Sequence, residues 1–168
     1  MHILGPRDGH AVDLAGVGVR FMIGGDLSGG GFSLVEHPLA PRVLGSPVHT
    51  HRNEDEYSYI LEGEVGLEIG EDELVAKPGD LVFKPRGVPH AFWNPSDEPA
   101  RLLEIISPAG FEHYFEEAAA MFPEAGEPDM AAFAALCERY GLEMDFDSVP
   151  RLARRHGLDM PPEAELAG

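Results

Sequence analysis

Three histidines and one glutamate carry the strongest chemical signal in this chain. His49 and His51 are separated by one residue, in a stretch after Pro47 that reads as extended. On a strand, positions i and i+2 face the same way, so both imidazoles project together at a spacing that suits one metal ion. Glu56 lies beyond the polar turn Arg52-Asn53-Glu54-Asp55, at the start of the next strand. It offers an oxygen from beside the two histidines. His90 follows later, behind the stiff segment Pro85-Arg86-Gly87-Val88-Pro89. Three imidazole nitrogens and one carboxylate suit one divalent transition metal: iron, manganese, nickel, cobalt or zinc. An octahedral ion on that set keeps two positions for water, dioxygen or a bidentate substrate. Parity selects the acid: Glu56 faces inward with Ser58 and Ile60, whereas Glu54 stays in the turn. The acidic runs around Glu54 and Glu71-Asp72-Glu73, apart from Glu56, are read as solvated turns.

Such a set needs strands to hold it, and the sequence supplies short ones. Glycine (20) and proline (15) are both frequent and punctuate the chain into brief extended pieces. These fall at 17–23, 32–39, 56–61, 65–69, 74–76, 81–84, 89–94 and 101–106. Val65, Leu67 and Ile69 alternate with Glu64, Gly66 and Glu68, giving one buried face and one wet face. Lys77-Pro78-Gly79-Asp80 fits a type II turn, with Pro presetting φ and Gly supplying positive φ. Many short strands at regular spacing predict an antiparallel sandwich or barrel. Residues 1–108 are therefore read as a mostly β unit with N-terminal strands, and 109–168 as a helical C-terminal extension packed on it. In that extension Phe111, Tyr114, Phe115 and Ala118 fall at helical spacing. Met130, Phe133, Ala134 and Cys137 repeat it, between a capping Asp129 and a terminating Gly141. A third helix is expected over 150–156, before Gly157.

These residues resemble the cupin superfamily. Its first motif, His-x-His, four residues, Glu, six residues, Gly, reads here as His49, His51, Glu56 and Gly63. The glycine usual before the first histidine is replaced by Val43. The second motif, Gly, five residues, Pro, one, Gly, two, His, three, Asn, reads as Gly79, Pro85, Gly87, His90 and Asn94. The segment Pro108-x-Gly110-Phe111-x-x-Tyr114-Phe115 is similar to the helical ends of small members that resemble quercetin dioxygenases. The resemblance implies a double-stranded β-helix barrel with a metal inside, held by His49, His51, Glu56 and His90. It implies no single reaction, because one fold hosts many.

Composition narrows the remainder. Twelve basic against 30 acidic residues give a formal charge of −18, which repels phosphate backbones and anionic lipid. Neither nucleic acid nor membrane is expected as a partner. Cys137, the single cysteine, closes no intrachain disulfide and is read as a small core residue. No apolar run approaches the roughly 20 residues of a membrane span, and residues 1–12 lack a signal-like stretch. The expected compartment is the cytoplasm. Trp93 alternates with the inward His90 and Phe92, so it is expected outside as the exposed anchor of a homodimer.

The function expected is that of a metal-dependent oxidoreductase of the dioxygenase type, acting on a small organic substrate. Phe21, Ile60, Leu67, Phe83 and Phe92 are the candidate lining of an apolar pocket. Glu56 is also the candidate catalytic base. The alternatives are a non-catalytic small-ligand-binding or regulatory protein and, further off, a sugar isomerase. The last needs a basic phosphate anchor, drawn from Arg42, Arg52, Lys77, Lys84, Arg86 or Arg101.

Overall fold

The computed structural model describes residues 3–14, 16–121 and 129–159. The chain opens with β1 (Ala11–Leu14), β2 (Val17–Ile23), a short helical turn α1 (Gly25–Ser28) and β3 (Ser33–Leu39). Next come β4 (Val48–His51), β5 (Asp55–Glu62), β6 (Val65–Ile69), β7 (Asp72–Ala76), β8 (Leu81–Lys84), β9 (His90–Trp93) and β10 (Ala100–Ser107). The C-terminal part holds α2 (Glu112–Ala119), α3 (Met130–Tyr140), β11 (Leu142–Asp145) and α4 (Ser148–His156). One sheet runs β1-β2-β3-β10-β5-β8 and the other β11-β4-β9-β6-β7. Their named pairings are antiparallel. The protein is mostly β, a double-stranded β-helix barrel with helices after it.

Turn chemistry sets the corners. Gly63, between β5 and β6, has φ 71°. A Cβ there would also meet the Pro99 carbonyl oxygen at 2.7 Å, so only glycine fits. Asn94 braces a loop: its amide nitrogen donates to the carbonyls of Ala40 and Glu98. The helices follow their sequence signals. Asp129 caps α3 by accepting from the Ala131 and Ala132 backbone amides, and Gly141 ends it in the left-handed region.

Alternation along the strands stacks the barrel interior in layers. On β10, Leu102 enters an apolar floor with Ile60, Leu67, Val82 and Phe92. Ile106, at the other end, joins a second cluster with Val35, Phe111, Tyr114 and Phe133, beneath α2 and α3. Between Leu102 and Ile106 comes Glu104, also buried. A polar layer thus lies between two apolar ones.

Three expectations change. Phe83 does not line the interior: it is 49% exposed on the outer face of β8 and stacks on Tyr57. Lys84 and Val82 take the inward positions instead, because Lys84 finds carboxylate partners inside. Trp93 does point out of the barrel, but α4 covers it. It is 1% exposed, stacks on His156, and packs with Leu152 and Ala153. Truncating a buried Trp costs about 3–5 kcal/mol, so its role here is to dock the tail. The expected homodimer loses the anchor on which it rested. Finally, the tail is not helical throughout, since β11 pairs with β4 and places Met144 opposite His49.

Candidate metal centre

The site is assembled by strand parity and register. On β4 the burial alternates so that His49 and His51 are inside and Val48 and Thr50 are not. β9 pairs with β4 at His49 and His90. The turn through 52–54 brings β5 back with Glu56 facing in. Ligand atoms of His49, His51, Glu56 and His90 all lie within 4.8 Å of one another, and all four residues are buried.

Each imidazole is oriented from behind. His49 Nδ1 is 2.9 Å from the Pro47 carbonyl and His90 Nδ1 is 3.0 Å from the Val88 carbonyl. A carbonyl only accepts, so both rings carry their proton at Nδ1 and leave a lone pair at Nε2. Burial, with the neighbouring His90 and His51, drives the His49 pKa well below its ordinary value. Burial also lowers that of His90, against the pull of Glu56. Both rings are therefore neutral near neutral pH. The Nε2 atoms of His90 and His51 face the Glu56 carboxylate at 3.0 and 3.3 Å. The His90 lone pair fixed in this way faces the carboxylate, a repulsive contact unless a cation sits between them. The donor set thus fits a divalent metal, with second-layer hydrogen bonds of the kind that orient metal-bound histidines.

His51 is oriented differently. Its Nδ1 lies 3.6 Å from Glu54 Oε2, and both atoms are buried without a hydrogen-bond partner. Glu54 is 8% exposed, so it is not a solvated turn residue. The turn folds its carboxylate back beneath His51.

Sequence reasoning missed the charges beside the ligands. Lys84 Nζ lies 2.8 Å from Glu56 Oε2 and 3.0 Å from Glu104 Oε2. Ser58 Oγ donates to Glu104 at 2.8 Å. Burial pushes Glu104 up to about 7, helped by Glu56 and opposed by Lys84. Burial raises Glu56 too, but Lys84, His51 and His90 outweigh it and hold the carboxylate well below its usual range. Two carboxylates share one ammonium, so one keeps its proton more readily than the other. The signal was present in part. Glu104 sits at an inward position of the alternating stretch Leu102, Glu104, Ile106. Its pairing with Ser58, and that of Lys84 with Glu56, needs the strand register.

The candidate pocket residues separate. Ile60, Leu67 and Phe92 form part of the floor. Phe21 packs at the helix-covered end and stacks on His10 at 5.4 Å. Above the histidines, the Phe111 ring meets His51 edge-on at 4.4 Å, and α2 closes that mouth. A surface cavity of about 390 Å³ on the β4–β11 side is bounded by Val48, His49, Pro89 and Met144 among others, and of the four ligands only His49 lines it. The basic residues that a phosphate-binding reading requires are mostly spent elsewhere. Arg42, Arg52, Lys77, Arg86 and Arg101 pair with acids on the exterior, and Lys84 with two inside.

Comparison with known proteins agrees with this geometry. The cupin domain family model matches residues 36–106. A probable oxidoreductase, virH, from Hypocrea virens is 30% identical over 87 residues, covering 49% of this chain and 40% of that protein. The chain therefore matches less than half the length of that curated relative. Among solved structures, the polyketide cyclase RemF from Streptomyces resistomycificus is 25% identical, with a TM-score of 0.57 over 64% of this chain and 79% of that one. An RmlC-like cupin from Shewanella frigidimarina is 21% identical, also at 0.57, over 67% and 96%. No helix among the described residues is long and apolar enough to cross a membrane.

Proposed function

Residues 36–106 of this chain match the cupin domain family, and from that premise we propose that it is a metal-dependent oxidoreductase of the dioxygenase type, acting on a small hydroxylated organic molecule inside the barrel. The convergence of three imidazoles and the Glu56 carboxylate within 4.8 Å carries this reading. The match to a probable oxidoreductase supports the reaction class. His49, His51 and His90 would hold the ion through Nε2, and Glu56 through a carboxylate oxygen. A divalent transition metal bound there supplies Lewis acidity and access to dioxygen.

The protein's own groups narrow the substrate. Glu56 is the proposed acceptor of a substrate proton. Carboxylates are weak bases, so this role suits a hydroxyl that is already acidic, as in an enol or a phenol. Ile60, Leu67 and Phe92 give the pocket an apolar floor, and the aromatic cover on α2 keeps water away from it.

The likeness to a polyketide cyclase favours a second reading, ring closure of an enolic substrate without oxygen. A third is ligand capture without turnover. The test is to load the protein with iron, manganese, nickel, cobalt or zinc and follow oxygen uptake against enolic and phenolic compounds. Uptake is expected with at least one metal, and it should vanish in His51→Ala together with metal content by elemental analysis. Product formed without oxygen uptake would favour the cyclase reading. Binding without product would favour ligand capture.

A further inference from the structure

His37 is a buried imidazole that the metal site does not use. It lies on β3 between Val35 and Leu39, facing the barrel interior, and is 3% exposed. Its Nδ1 is 2.9 Å from the Gly18 carbonyl. That carbonyl only accepts, so Nδ1 carries the proton and Nε2 carries a lone pair. Burial lowers the ring's pKa to about 4, although the Gly18 bond opposes it, and the ring is neutral near pH 7. Among the described residues Nε2 makes no hydrogen bond, and it is not one of the atoms sealed from solvent without a partner. An acceptor left open in this way is available to a bound donor.

The surroundings say what that donor belongs to. The His37 ring meets Phe115 edge-on at 5.4 Å and Phe92 at 6.0 Å. Phe115 leads to Phe111 at 5.4 Å, and Phe111 to His51 at 4.4 Å. On the other side the Phe92 ring lies 5.5 Å from Lys84 Nζ, which holds Glu56. The contacts close a circuit, with the four clustered ligands on one arc, His37 on the opposite arc and aromatic rings between.

We propose that His37 is a substrate-binding residue, whose Nε2 accepts a hydrogen bond from a hydroxyl of a planar phenol or enol flanked by Phe92 and Phe115. This rests on the reading of the metal centre given above and deepens it. The hydroxyl held by His37 is a different one from the oxygen directed at the metal, so the favoured ligand carries two oxygens on one flat frame. Phe92 and Phe115 give that frame apolar faces.

The probe is 4-nitrocatechol, whose visible absorption reports both binding and ionisation. It is titrated into the metal-loaded protein, into His37→Phe and into His37→Gln, with metal content measured in each. His37→Phe should bind the probe about tenfold more weakly, the loss of one hydrogen bond, while keeping the parent's metal content. His37→Gln, whose amide oxygen still accepts, should recover part of the affinity. Equal affinity in the parent and His37→Phe overturns the proposal, as does a metal-loaded parent that does not bind the probe. A parent that takes up no metal defeats the metal-centre reading instead. The same titration on metal-free protein then decides His37, with equal affinities again overturning it.

Discussion

Glu36 on β3 and Glu104 on β10 lie on neighbouring strands and are both buried, yet they face opposite ways. Glu36 points out of the barrel and meets two guanidiniums, Arg20 Nε at 3.1 Å and Arg101 Nη1 at 3.2 Å. Glu104 points inward and shares the Lys84 ammonium with Glu56. The outer cluster sets two cations around one buried carboxylate, with Arg101 also reaching the exposed Glu62, and the inner has one cation for two buried carboxylates. The outer cluster is complete, and its work is to tie β2, β3 and β10 together. The inner one is short of positive charge beside three imidazole nitrogens, which is where a metal cation belongs. A buried acid therefore tells little by itself. The balance of charge around it separates a structural cluster from a functional one.

Removing one cation from each cluster tests that difference most strongly. In metal-free protein, Lys84→Met leaves two buried carboxylates without their shared cation and should cost about 3–5 kcal/mol. Arg20→Met leaves Glu36 with Arg101 and should cost about 1 kcal/mol. Urea denaturation measures both. Equal losses would erase the distinction between the clusters.

The next effect is on pH. His37 has its pKa lowered by burial from 6.5 to about 4. As pH falls, the unfolded chain takes up this proton before the folded one does. The stabilisation is full above about 6.5 and is lost as pH falls towards about 4, by roughly 3 kcal/mol in all. His49 and His90, also lowered by burial, act in the same direction. Glu104 acts in the opposite direction. Its pKa rises from 4.5 to about 7 on burial, so its protonated form stabilises the fold below about 4.5, and that contribution is lost as pH rises through about 7. The two trends partly cancel between about pH 5 and 6.5. Glu104→Gln removes the second trend, so the metal-free variant should gain stability with rising pH more steeply than the parent across that window. Parallel curves would mean that Glu104 holds no proton there.

The ligand set was legible in the sequence because it depends on local rules. Parity places His49 with His51 and a short turn returns Glu56 to them, while His90, four strands later, is marked by its place in the second motif. The same parity put Trp93 outside the barrel, but its cover by α4 comes from a helix 55 or more residues later, which no local pattern reveals. Phe83 was misplaced because hydrophobicity was allowed to decide what the Lys84 pairing decides. Lys84 and Glu104 became readable as a pair only through the register of β8, β5 and β10. β11 is four residues long and carries Glu143 and Asp145, too weak a signal beside the helical pattern around it. Glu54 looked like one acid of a solvated run. Only the folded turn distinguishes it from Asp55, which binds Arg86 at 2.8 Å on the surface.

That last pair of acids supplies the finest test of the comparison. Glu54 and Asp55 are adjacent and bear the same charge, but Glu54 is tucked behind His51 and Asp55 is bound to an exterior arginine. If an oriented carboxylate behind His51 matters, Glu54→Gln should weaken metal binding by about tenfold, the lower end of what such second-layer partners contribute. Thermal stability of the metal-free protein should hardly move, because glutamine keeps the packing. Asp55→Asn removes the same charge at nearly the same distance along the chain and should leave metal affinity unchanged. Chelator competition with zinc or cobalt reads both variants. If Asp55→Asn weakened the metal as much as Glu54→Gln, the effect would be a general loss of negative charge near the site. The position of the carboxylate would then not matter, and burial against a ligand would cease to separate functional acids from the surface acids around them.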